Sequence, residues 1–389
     1  MFKKFSQKLS FKNPVILVQA SEAPFIADRH IGHTMPKGKD FIGELGYLSL
    51  EDAIAFLKKN KKEVILNVGD SSTSGWDSNV ITLNRERMKQ NLSIFPAFFR
   101  YKTYSDFLRD NLDDNYYVIN AGVPAHTSFQ GYFRLNSLLN RFKKEGIPIK
   151  LVTLYFGNND SVWDHNRQDK EWVGKRNEIV FLKQLFKRFK EHSSIITRVS
   201  PDDFKMNMKK MVRICQDHDT EVVIIEPLTP LYWKPGTRVH NEELEKKYFP
   251  GAKIVYKLLD EALFLWAKTQ QTPYSELKEA LLEEVREKDF IVPRIKKDYL
   301  FSLRALGKEL NVPYIQVHLD RTEDDIRFFI DYCHPIGIAN QLIAEKIKEV
   351  ISGKVENLSS QESPSQDFLC QNKPSEINLA IPENTYTLY

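Results

Sequence analysis

The chain has 389 residues, of which 42% are hydrophobic and 28% charged, enough apolar material for the core of one large domain. A formal net charge of +4 is a mild basic excess and gives no argument for nucleic acid as a partner. The three cysteines, Cys215, Cys333 and Cys370, lack metal-ligand spacing and form no disulfide framework, which points to a reducing compartment.

Met1 to Ser10 carries the charged start of an export signal, but the apolar run that follows is short and is broken by Pro14 and Gln19. No stretch approaches the roughly 18 apolar residues of a membrane span. The expectation is a cytoplasmic protein with residues 1–45 as an N-terminal extension, a basic surface contact by residues 2–12 being the alternative. His30-Ile31-Gly32-His33 offers two imidazoles with no third ligand and reads as a loop, so no metal is expected there.

Ser49-Leu50-Glu51-Asp52 has the spacing of a capping box and opens a helix through Ala53, Ile54, Phe56 and Leu57. Five apolar, β-branched runs then read as buried strands: Val64–Val68, Tyr117–Asn120, Leu151–Phe156, Val222–Glu226 and Tyr314–Val317. Helical spacing lies between them, over residues 128–144, from Ser200-Pro201 through Met211 and Ile214, and from Gly337 to Ile351. This alternation predicts an α/β fold with a five-stranded parallel sheet, whose ligands bind at the carboxyl ends of the strands. Two connections exceed the length of simple crossovers. The first, about 161–220, holds the basic helical pattern Glu178–Lys190. The second, about 227–312, holds helical patterns at Ile254–Trp266, Thr272–Val285 and Ile295–Leu310 and is expected to form a helical cap beside the site, a structural elaboration distant from substrate being the equal alternative. Residues 46–351 make the expected domain. The tail 352–389, rich in Ser, Asn, Gln, Glu and Pro, is expected to be disordered.

Chemistry gathers after the strands. Gly69-Asp70-Ser71 follows the first and offers a hydroxyl at the start of a helix, where backbone N–H groups favour an anion. Gly122, after the second, offers an N–H with no side chain in the way, and Gly157-Asn158-Asn159-Asp160, after the third, offers the Asn159 amide. Asp331-Tyr332-Cys333-His334-Pro335 supplies a candidate base, His334, with Asp331 to orient its imidazole; Asp320 and Asp325 are alternative orienting carboxylates. Each stretch alone also reads as an ordinary turn. A Cys333 nucleophile fits less well, because adjacent side chains point apart.

Together, and in this order, the four blocks resemble the SGNH (GDSL-like) hydrolases. The resemblance covers roughly residues 60–165, 220–230 and 312–350, and omits the N-terminal extension, both insertions and the tail. It implies a flavodoxin-like three-layer α/β/α sandwich and no cofactor or metal. It also implies acylation of Ser71 with His334 as base and Asp331 behind it, and an oxyanion hole from the N–H groups of Ser71 and Gly122 with the Asn159 amide. Gly69, Asp70, Gly157 and Asp160 would support these groups. The expected activity is hydrolysis of acyl esters, with acetyl or short acyl groups on a carbohydrate or small-molecule hydroxyl. An O-acyltransferase using the same Ser71 and a non-catalytic binding protein that keeps the pocket are the alternatives. Nothing in the sequence fixes an oligomeric state. Gly-x-Gly-x-x-Gly and Gly-Lys-Ser/Thr loops are missing, so nucleotide chemistry is not expected.

Overall fold

The computed structural model describes residues 38–42, 48–75, 102–162, 168–172, 196–230, 283–288, 294–319, 328–329 and 332–353, and the backbone alone of 15–19, 26–28, 32–34, 47 and 97–101. The expected helices at 178–190 and 254–266, the tail beyond 353, and Asp320, Asp325 and Asp331 lie outside these residues.

Near the N-terminus β1 (Val15–Gln19) pairs antiparallel with β7 (Ala97–Tyr101), and β2 (Ile26–Asp28) pairs antiparallel with β3 (Gly32–Thr34). Gly32 and His33, expected in a loop, are therefore strand residues. The main sheet has seven strands in the order β11-β10-β9-β6-β8-β4-β5. Its members are β4 (Phe41–Ile42), β5 (Tyr47–Leu48), β6 (Glu63–Gly69), β8 (Tyr116–Asn120), β9 (Ile149–Tyr155), β10 (Glu221–Ile225) and β11 (Tyr314–Ile315). All five expected strands are present and mutually parallel. The two additional strands form an antiparallel hairpin that joins β8 through Ile42 and Asn120.

Among the described residues the helices that accompany the strands include α1 (Leu50–Asn60), α2 (Ser71–Ser74), α3 (Tyr104–Asn111), α4 (Ser128–Lys144), α5 (Pro201–Gln216), α6 (Lys297–Glu309) and α7 (Ile338–Ile351). The Ser49 hydroxyl accepts from the Asp52 N–H at the start of α1, and the Ser200 hydroxyl accepts from the Asp203 N–H ahead of Pro201 in α5. Successive strand residues face opposite sides. Val64, Leu66 and Val68 pack with α1, α4, α5 and α6, through Leu57, Leu138, Met208 and Leu303 among others. Ile65 faces the other way, toward α3 and α7, through Leu108, Ile343 and Ile347. The result is the expected three-layer α/β/α sandwich.

Parallel strands leave their carboxyl ends on one edge. Because β6 sits between β8 and β9, the turn into α2, the loop 121–127 after β8 and the loop 156–162 after β9 emerge side by side.

Candidate active site

Asp70 ends the β6 turn and caps α2. Its Oδ1 accepts from the Ser72 N–H at 2.8 Å, and this fixes Ser71 as the first residue of a one-turn helix with a partly exposed side chain. His334 comes from the segment before α7, and its Nε2 lies 2.6 Å from Ser71 Oγ, across 263 residues of sequence. The His334 segment is fastened on both sides. The Ser72 hydroxyl donates to the Cys333 carbonyl at 3.2 Å, and the Asn340 amide donates to the Pro335 carbonyl at 2.7 Å. Cys333 and Cys215 are buried, and the Cys333 Sγ packs against the imidazole at 3.7 Å from Nδ1.

Asn159 lies beside the Asp70–Ser71 turn, 8% exposed. Its amide nitrogen donates to Asp70 Oδ2 at 3.2 Å and to the His126 carbonyl at 3.1 Å. The N–H of Gly122 donates to Asn120 Oδ1 at 3.1 Å, so it already has a partner in the resting site. What the site requires of Gly122 is the missing side chain: a Cβ there would stand 2.5 Å from the Ser74 nitrogen, 2.8 Å from Thr73 Cβ and 2.9 Å from the Asp70 carbonyl. Gly157 has φ 136° and packs its Cα against Ile295, a conformation that favours glycine. Gly69 ends β6, close to the Thr73 side chain.

Two buried carboxylates hold this edge. Burial pushes the Asp70 carboxyl up to about 6, against the Ser72 N–H and the charge of His334, which lower it. Burial likewise pushes Asp160 up to about 7, against its bonds from Ser128. Asp160 Oδ1 receives both the N–H and the hydroxyl of Ser128, at 2.8 and 2.5 Å, and so anchors the start of α4. Among the described residues its Oδ2, which is buried, has no hydrogen-bond partner. Beneath α2 runs a buried polar chain that the sequence reading missed. Ser105 accepts from Asn67, Asn67 accepts from Thr153, and the Tyr104 hydroxyl joins Thr153 to Thr73. Asn67 and Thr153 interrupt apolar strands, and that break in pattern was the available signal.

Both long connections reach the Asn159 loop. From the first, the Val199 N–H donates to the Asp160 carbonyl. From the second, the Ile295 N–H donates to Asn158 Oδ1 at 3.0 Å, and Ser161 donates to the Arg294 carbonyl at 2.8 Å. Among the described residues no cluster of His, Cys, Asp or Glu could hold a metal ion, and no helix is long and apolar enough to cross a membrane.

A strand-end serine in contact with a distant histidine, beside an asparagine amide and a glycine packed on the serine's helix, is an arrangement suited to attack on an acyl bond. The model of the GDSL-like Lipase/Acylhydrolase family matches residues 68–286, more than half of the chain, and the chain belongs to that family. Membership makes it a hydrolase, with ester hydrolysis as the general activity. The matched span includes Ser71, Gly122 and Asn159; His334 lies beyond it. No curated protein matches the chain. Among solved structures it is similar to a GDSL-like lipase from Bacteroides thetaiotaomicron, at 13% identity and a TM-score of 0.36, over 78% of this chain and 96% of that one. It is similar to a carbohydrate acetylesterase family member from Sinorhizobium meliloti, at 15% identity and a TM-score of 0.37, over 75% and 99%. A catalytic mutant of an acetylxylan esterase from Geobacillus stearothermophilus aligns at 11% identity with a TM-score of 0.37, over 77% and 97%.

Proposed function

We propose that the chain hydrolyses acyl esters through an acyl-Ser71 intermediate, and that its substrates carry acetyl or short acyl groups on a carbohydrate or small-molecule hydroxyl. The observation that carries this reading is the 2.6 Å approach of His334 Nε2 to Ser71 Oγ, the distance at which an imidazole takes a hydroxyl proton. As Ser71 Oγ bonds to the carbonyl carbon, its proton passes to His334 and the carbonyl oxygen becomes an oxyanion. The carbon–oxygen bond to the alcohol then breaks, and His334 protonates the departing oxygen. Water repeats the sequence on the acyl-serine: it gives a proton to His334, attacks the carbonyl carbon and releases the acid with the Ser71 hydroxyl restored. Asp331 is the proposed orienter of the imidazole.

The N–H of Ser71, in the first turn of α2, and the Asn159 amide are the proposed oxyanion donors. Asn159 would share one of its present hydrogen bonds with the oxyanion, and Gly122 would add its N–H by releasing Asn120. Among the described residues the hydrogen-bond partners of Ser71 are Ser74, Gly75 and His334, all small or polar, which favours a short acyl group over a long hydrocarbon chain.

A fluorophosphonate followed by peptide mass mapping tests the reading. Label is expected on Ser71, and label elsewhere on folded protein would sink the assignment. Ser71→Ala should abolish labelling and ester turnover, and His334→Ala should slow turnover by roughly 10²- to 10⁴-fold, the usual contribution of a general base.

A further inference from the structure

Asn159 is held within a closed ring of hydrogen bonds whose other members come from the first long connection and from the loop after β8. Directly after Asn159, the Asp160 carbonyl accepts from the Val199 N–H at 3.1 Å and the Val162 carbonyl accepts from the Arg198 N–H at 2.9 Å. The Arg198 side chain then reaches across to the loop after β8. Its Nη1 donates to the Ala125 carbonyl at 2.8 Å and its Nη2 to Gln130 Oε1 at 3.2 Å. The next carbonyl along that loop, on His126, accepts from the Asn159 amide at 3.1 Å and closes the ring.

Asp169 braces the same turn. It receives Arg198 Nε and Nη2 at 3.2 and 3.0 Å, a two-pronged ion pair, and the Thr127 hydroxyl at 2.7 Å. The pair is largely buried, with 19% of the Arg198 side chain and 10% of the Asp169 side chain exposed. The turn has a reason to need bracing. Ala125 is exposed and sits at φ 61°, a left-handed conformation that an alanine seldom keeps unaided. A planar guanidinium can hold a carboxylate, an amide oxygen and a peptide carbonyl at fixed angles together, which an ammonium cannot.

We propose that Arg198, seated on Asp169, is a positioning residue that locks the Ala125–His126 turn and thereby aims the Asn159 amide at the oxyanion formed on Ser71. This rests on the roles proposed above for Ser71 and Asn159. On this account Asp169 and Arg198, in the first long connection and outside the blocks that define the family resemblance, are part of the working site.

Arg198→Met and Arg198→Lys, each alone and in an Ala125→Gly background, test it in the full-length protein. Both single variants should label with fluorophosphonate at Ser71 and turn over a p-nitrophenyl acetate probe roughly ten- to a hundredfold more slowly, the scale of a misplaced catalytic group, through kcat with KM little changed. Glycine adopts φ near 60° freely, so the loss on Arg198→Met should be smaller in the Ala125→Gly background. Hydrogen exchange adds a readout independent of turnover: the amides of residues 125–130 should exchange faster in either variant. Unlabelled wild-type protein would overturn the Ser71 reading and leave the exchange result to decide the clamp. Normal labelling of wild type with equal rates in the Arg198 variants, or exchange unchanged over 125–130, would overturn the clamp. Losses that simply multiply with Ala125→Gly would overturn the role given to the left-handed turn. If Arg198→Met does not fold, the same comparisons are made with Arg198→Lys.

Discussion

At the scale of single residues, Asp70 and Asp160 are the informative side chains. Asp70 caps α2 through one oxygen and grips the Asn159 amide through the other. Asp70→Asn keeps a capping oxygen but turns an NH₂ group toward that amide. Turnover should fall by about tenfold, the equivalent of about 1.4 kcal/mol of lost transition-state stabilisation, while the melting temperature changes little; unchanged kinetics would show that the grip is idle. Asp160 makes a pH prediction. Burial raises its folded carboxyl from the ordinary 3.8 to about 7, above its unfolded value, so the folded chain binds the proton first. The stabilisation that this proton supplies is absent well above pH 7, grows as pH falls through about 7, and is complete near pH 4. Urea midpoints at pH 8 and pH 5 should therefore favour the lower pH more in the wild type than in Asp160→Asn, by on the order of 1 kcal/mol per unit. Equal shifts in the two proteins would contradict this.

Between elements, the contact that matters most is Ser72 on the Cys333 carbonyl, because it joins the helix bearing Ser71 to the segment bearing His334. Ser72→Ala should cost about 1 kcal/mol of stability and slow fluorophosphonate labelling several-fold; a stability loss with no change in labelling would mean that His334 is held by other contacts. Elements of this size were unevenly legible in the sequence. The five parallel strands carry continuous β-branched runs, and α1, α4, α5 and α7 announce themselves by caps and apolar spacing. The β4–β5 hairpin has two residues per strand, too few for any period to show. Helix α3 opens on a Thr103–Asp106 capping box that the chain displays openly, yet its eight residues give little more than two turns of pattern. Ser71 and His334 stood out because their residue types follow strands or precede helices. The engagement of Gly122 with Asn120 and the double grip on Asn159 depend on side-chain directions that no spacing encodes.

For the molecule as a whole, the two helical layers stabilise one sheet from opposite sides but stand in different relations to the site. One layer carries α3 and α7, and α7 begins only four residues after His334. Ile343 and Ile347 are fully buried in that layer. Ile343→Ala should cost about 2–5 kcal/mol, visible as a lower urea midpoint, and should also weaken labelling of Ser71 near the transition, where α7 loosens before the central strands. Labelling that tracked only global unfolding would place the His334 segment under separate control.

The hairpin β4–β5 has a wider consequence. Beyond β8 it turns the sheet against its own direction and ends in a strand of two residues, and the opposite border, β11, is equally short. Among the described residues neither flank of this sheet offers a run of unsatisfied peptide groups long enough to template a strand from another molecule. The main sheet can thus stay open at its strand ends while its two short lateral borders offer little to a strand from another molecule.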